Sequence, residues 1–128
     1  MRDLFVYTNP NPLGKSVGDC TVRAISIALN QSWEETYSGI CEQGFIMCDM
    51  PSANHIWGEY LKKHGFKRSA IHEGGDYTVR DFCRDVPRGT FVLACDGHVV
   101  AVIDGRYYDA WDSGDVVPLY YWEWRNDK

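Results

Sequence analysis

Two Asp-Gly pairs, Asp96-Gly97 and Asp104-Gly105, cut an otherwise apolar stretch into three runs, 90–95, 98–103 and 106–111. Asp-Gly between apolar runs is a strong short-range hairpin signal, because a tight two-residue turn needs residues that tolerate left-handed backbone. A fourth run, from Val116 to Trp124, follows Ser113-Gly114. The C-terminal part is therefore expected to be an antiparallel meander.

The texture before Pro87 is helical. Val22, Ile25 and Leu29, flanked by Ala24 and Ala28, recur at helical spacing after Asp19, which is expected to act as an N-cap. Ser32-Trp33-Glu34-Glu35 has the form of a capping box opening a second helix with Trp33, Tyr37 and Ile40 on one side. A third helix, carrying Ile56, Tyr60 and Leu61, follows Pro51-Ser52 and ends by Gly65, and Thr78 to Arg84 forms a short fourth. Helices first and strands second predict an α+β fold, with N-terminal helices packed on a C-terminal antiparallel β-meander. With no internal repeat, low-complexity segment or linker, residues 1–128 read as a single domain.

Thirteen basic against 18 acidic residues give a net charge of −5, the wrong sign for a protein that gains affinity by neutralising phosphates. No nucleic acid is expected as a partner, and the acidic balance mildly favours basic ones. No apolar run reaches a membrane span and no signal-peptide core follows Met1, so no membrane partner is expected and the chain reads as cytoplasmic. Five cysteines, an odd number without a C-x-x-C pair, suit free thiols better than a disulfide scaffold or structural zinc. Cys41, Cys48, Cys83 and Cys95 read as small buried hydrophobes.

Cys20 is different, because it stands where a long polar loop ends and an apolar helix begins, beside the unpaired N–H groups of the first turn. A helix terminus contributes only about 0.3–1 kcal/mol, too little to ionise a thiol whose ordinary pKa is near 8.5. A second cation is needed. His55, His64 and His72 lie among polar residues and read as solvated surface, whereas His98 opens a strand that continues through five uncharged residues. If Asp104-Gly105 is a two-residue loop, Val100 faces Asp109 and His98 faces Trp111, so His98, Asp109 and Trp111 share a sheet face. The His98–Asp109 diagonal is then about 7–8 Å at the backbone and needs twist or a bulge to close. A one-residue bulge would favour Asp112 instead.

A Cys at a helix start, a His opening a strand and an Asp on the next strand together resemble the papain-like cysteine peptidase superfamily. Gly18-Asp19-Cys20 looks like its nucleophile site, Gly97-His98-Val99-Val100 like its histidine strand, and Asp109-Ala110-Trp111 like its Asn-Ser-Trp. The resemblance implies Cys20 as nucleophile, His98 as general acid/base, Asp109 as the orienting residue with Asp112 the alternate, and Trp111 as their shield. It also implies a minimal papain-like fold of the small bacterial or phage type, acting on a peptide or protein substrate without a cofactor. The residue six before the Cys, where papain has its oxyanion-hole Gln, is Gly14, so Asn11 or Asn9 is expected to supply that amide beside the Cys20 N–H. The expected function is a thiol hydrolase or acyl transferase acting on a peptide or isopeptide bond through a Cys-His-Asp triad. The alternatives are an inactive papain-like scaffold that binds or regulates, with Tyr120, Tyr121, Trp122 and Trp124 as a contact surface, and a metal site on Cys20, His98 and Asp109.

Overall fold

A computed structural model describes residues 3–125 of the chain. These form an α+β fold of four helices and a six-stranded mixed sheet. In chain order the elements are β1 (Phe5–Tyr7), α1 (Cys20–Leu29), α2 (Trp33–Met47), α3 (Asn54–Lys63), β2 (Phe66–Ala70), α4 (Val79–Asp85), β3 (Thr90–Cys95), β4 (His98–Ile103), β5 (Arg106–Asp109) and β6 (Pro118–Trp124).

The strand order is β1-β5-β4-β3-β6-β2. β3, β4 and β5 form the expected meander, and Asp104 (φ 50°) and Gly105 (φ 77°) supply the paired left-handed residues of a tight hairpin. The rest of the sheet corrects the expectation. β6 does not continue the meander beside β5 but crosses back to pair with β3, β2 adds on its outer side, and β1 lies parallel to β5. The reason is where the apolar faces go: Trp122 of β6 joins Val92 and Ala94 of β3 beneath the helices.

The strand alternation divides the core in two. Val92, Ala94, Val99, Ala101 and Trp122 pack against Ala24, Ile25, Ile40, Ile56, Trp57 and Leu61 of the first three helices. Phe91, Leu93, Val100, Val102 and Tyr107 face the other way, against Val79, Phe82 and Cys83 of α4. Each fully buried aliphatic side chain contributes roughly 1.5–3 kcal/mol, and the central strands are buried on both faces, so β4 is the rigid spine of the molecule.

The helix starts show which caps operate. Ser32 Oγ accepts from the Glu35 N–H, and Thr78 with Asp81 forms a reciprocal capping box. Asp19 does not cap α1: its carboxylate makes no hydrogen bond to the first-turn N–H groups and is committed to side chains instead. The cysteine expectation also needs correcting, since Cys83 is buried but Cys41 and Cys95 are half-buried and Cys48 is exposed at the end of α2. Likewise Trp122 is buried and Tyr120 and Tyr121 partly so, which leaves Trp124 alone of the four C-terminal aromatics exposed. Among the described residues no helix is long and apolar enough to cross a membrane.

Candidate active site

Cys20 is the first residue of α1, which lies across β4 with Ala24 and Ile25 buried against it. His98 is the first residue of β4 and Asp109 the last of β5. The β4–β5 ladder runs from Ile103↔Arg106 to Ala101↔Tyr108, so both residues lie past its last rung. There the side chains meet: His98 Nε2 is 2.6 Å from Asp109 Oδ2. That bond leaves the other ring nitrogen, Nδ1, free of Asp109, and Cys20 and His98 wall the same hollow, close enough for each to favour the other's charged form.

Asp109 is 3 % exposed, and each of its oxygens has partners. Oδ2 accepts from His98 and from Ser113 Oγ at 2.6 Å, while Oδ1 accepts from the Ala110 N–H at 2.8 Å and from Arg23 at 3.4 Å. Burial alone would raise its pKa, but the hydrogen bonds from His98 and Ser113 and the charge of His98 hold the carboxyl below its ordinary value. Burial would lower the pKa of His98, yet the hydrogen bonds and charges of Asp109 and Cys20 push it up to about 9. For Cys20, burial pulls the thiol upward and is overcome by the hydrogen bond and charge of His98, helped by the Val99 N–H and the Thr21 side chain. Its pKa is thereby lowered. In each of the three groups the neighbours' hydrogen bonds and charges favour the charged form against the effect of burial.

Trp111 lies against the imidazole with ring centroids 4.7 Å apart while remaining half-exposed itself. Asp112 is not brought to His98. It accepts from Tyr107 Oη, from Arg80 at 3.2 Å and from the Gly114 N–H at 3.1 Å, and so ties the loop after β5 to α4. Asn11 and Asn9 are engaged within their own loop. Asn11 Oδ1 accepts from the Leu13 and Lys15 N–H groups and its Nδ2 donates to Asp19, while Asn9 Nδ2 donates to the Lys15 carbonyl. His55, His64 and His72 are exposed.

Two supporting residues escaped the sequence reading. Arg23, one turn after Cys20 on α1, is 6 % exposed and joins Asp19 to Asp109. Asp19 in turn accepts from Asn11 and from Trp33 Nε1, so a buried polar chain runs from the 9–19 loop and α2 to the carboxylate beside His98. The i,i+4 pair Asp19–Arg23 straddling Cys20 was a readable signal. Nothing in the sequence marked Ser113, whose role depends on how the chain turns after β5.

A hollow of about 260 Å³ opens beside the sulfur, walled by Cys20, Asn54, Trp57, Cys95, His98 and Tyr120. A second of about 400 Å³, lined by Val22, Trp33, Tyr37 and Ile40, lies on the other side of Thr21. Among the described residues no cluster of three or more His, Cys, Asp or Glu is arranged to hold a metal ion.

Comparisons against protein-family models, curated proteins and solved structures found no match to this chain.

Proposed function

We propose that this protein is a thiol hydrolase or acyl transferase acting on an amide bond, peptide or isopeptide, through Cys20, His98 and Asp109, on a minimal papain-like fold. The observation that carries the reading is the row formed by Cys20, a buried imidazole and a carboxylate with a full set of partners, with His98 Nε2 2.6 Å from Asp109 Oδ2 and Cys20 beside His98 on the wall of one hollow. Such a row is costly to bury and has no packing purpose that an apolar trio would not serve better. Perturbed titrating groups that converge on an open hollow are the mark of a chemical site.

The chemistry follows from the geometry. The thiolate attacks the carbonyl carbon, a C–S bond forms, and the Cys20 N–H at the unpaired start of α1 is available to the developing oxyanion. His98 gives its proton to the leaving amine as the C–N bond breaks, and Asp109 keeps the ring oriented and its charged form favourable. Water, deprotonated by the now neutral His98, attacks the thioester and releases a carboxylic acid and the thiolate. An amine in place of water completes transfer instead of hydrolysis. The test is labelling by a generic peptidyl vinyl sulfone, read by mass spectrometry. The expected outcome is one adduct at Cys20, abolished in Cys20→Ser and strongly slowed in His98→Ala. Indifference of Cys20 to every such probe would overturn the proposal in favour of a binding scaffold.

A further inference from the structure

The hollow beside Cys20 shares two of its walls with another. Asn54 and Tyr120 are also walls of a third hollow, of about 340 Å³, which lies between α3 and the β6–β2 edge and is lined by His55, Glu59, Lys62 and Arg68. A chain lying across Asn54 and Tyr120 would occupy both. β6 is two strands from β4, so Tyr120 lies about 10 Å across the sheet from the His98 strand, the span of roughly three extended residues.

The chemistry of this third hollow opposes that of the whole molecule. The chain carries a net charge of −5, yet four of its 13 basic residues, Lys62, Lys63, Lys67 and Arg68, fall within seven positions at the end of α3 and the start of β2. Of the charged groups lining the hollow, Lys62 is loosely paired with Glu59 at 3.9 Å, and His55 is bonded to Asp49 at 2.7 Å. Arg68 has no ion-pair partner among the described residues. Its guanidinium is held over the Tyr120 ring at 4.0 Å from the centroid. Stacking fixes the plane of the guanidinium and leaves its N–H edge to donate, the arrangement that suits bidentate recognition of a carboxylate.

We infer that this hollow is a carboxylate subsite with Arg68 as its recognition group, and that the substrate is an extended acidic peptide segment bearing Asp or Glu about three residues from the bond presented to Cys20. The inference rests on the thiol acyl-transfer reading for its chemistry, but the binding can be measured without turnover. Acetylated, amidated pentapeptides of Glu, Gln and Lys are tested for protection of Cys20 against iodoacetamide. The expected result is that penta-Glu halves the alkylation rate at a concentration at least about fivefold below penta-Gln, with penta-Lys the weakest. Arg68→Glu removes the advantage of penta-Glu and Arg68→Lys retains part of it, each rate being taken relative to the same variant's alkylation without peptide. The molecule's overall charge alone would give the opposite order, so protection best by penta-Lys, equal protection by all three, no protection by any, or an unchanged order in Arg68→Glu overturns the inference. A failure of the reading itself is separately visible, as a Cys20 that titrates like an ordinary thiol when no peptide is present.

Discussion

Replacing Asp109 by Asn removes one charge and almost no volume, and its consequences can be worked from the site. His98 is raised to about 9 against an ordinary value of 6.5, a preference for the imidazolium of roughly 3 kcal/mol at 1.36 kcal/mol per pKa unit. Asp109 supplies a hydrogen bond and a charge to that preference, and burial opposes it. The amide of the Asp109→Asn variant would keep a neutral hydrogen bond at most. If half the preference is lost, about 1.5 kcal/mol, the imidazolium partner of Cys20 becomes about tenfold less favoured. Arg23 retains Asp19 and Ser113 keeps an oxygen acceptor, so the fold is expected to persist. The assay is an NMR titration of the His98 ring in wild type and Asp109→Asn, together with the pH dependence of Cys20 alkylation. The expected result is a His98 pKa lowered by at least one unit and a Cys20 profile displaced to higher pH. An unchanged His98 titration in a folded Asp109→Asn protein would refute the electrostatic reasoning.

Other consequences follow from the same network. Arg23→Met removes the buried cation shared by Asp19 and Asp109 and leaves both carboxylates without it, so unfolding by urea is expected to show a loss of about 3–5 kcal/mol; a loss under 1 kcal/mol would mean the carboxylates are solvated. Turnover that needs His98 as proton donor should fall on the alkaline side as the imidazolium deprotonates. Its raised pKa places that fall near 9, and a pH–rate profile whose limb lies near 6.5 would show that the imidazolium is not held by its partners. Thr78→Ala removes the hydroxyl half of the α4 capping box and is expected to cost about 1 kcal/mol in thermal or urea unfolding without altering Cys20 alkylation.

Much of the site could be read from local rules. A polar loop meeting an apolar helix places Cys20, and the two-residue spacing of Asp104-Gly105 fixes Ile103 opposite Arg106, from which the neighbourhood of His98 and Asp109 follows. What could not be read depends on contacts between distant segments. β2 has the burial pattern of an edge, with Lys67, Arg68 and Ala70 exposed, so it carries no alternation to announce a strand and is held by main-chain pairing to β6. The position of β6 beside β3 rather than β5 is decided by where Trp122 is buried. Asp19 has the residue type and position of an N-cap, but three side-chain donors outcompete the helix for its oxygens. The narrowing between Asp109 and Asp112 rests on the loop after β5, where Arg80 and Tyr107 capture Asp112 and leave Asp109 to His98.

A proton shared between sulfur and imidazole would show most directly in the rate of iodoacetamide alkylation at Cys20 as a function of pH, followed by peptide mass mapping in a Cys48→Ser background so that the exposed thiol does not contribute. The account predicts a wild-type profile whose midpoint lies clearly below the ordinary thiol value near 8.5, moving up toward it in His98→Ala. A midpoint at 8–9 that does not respond to the loss of His98 would contradict it.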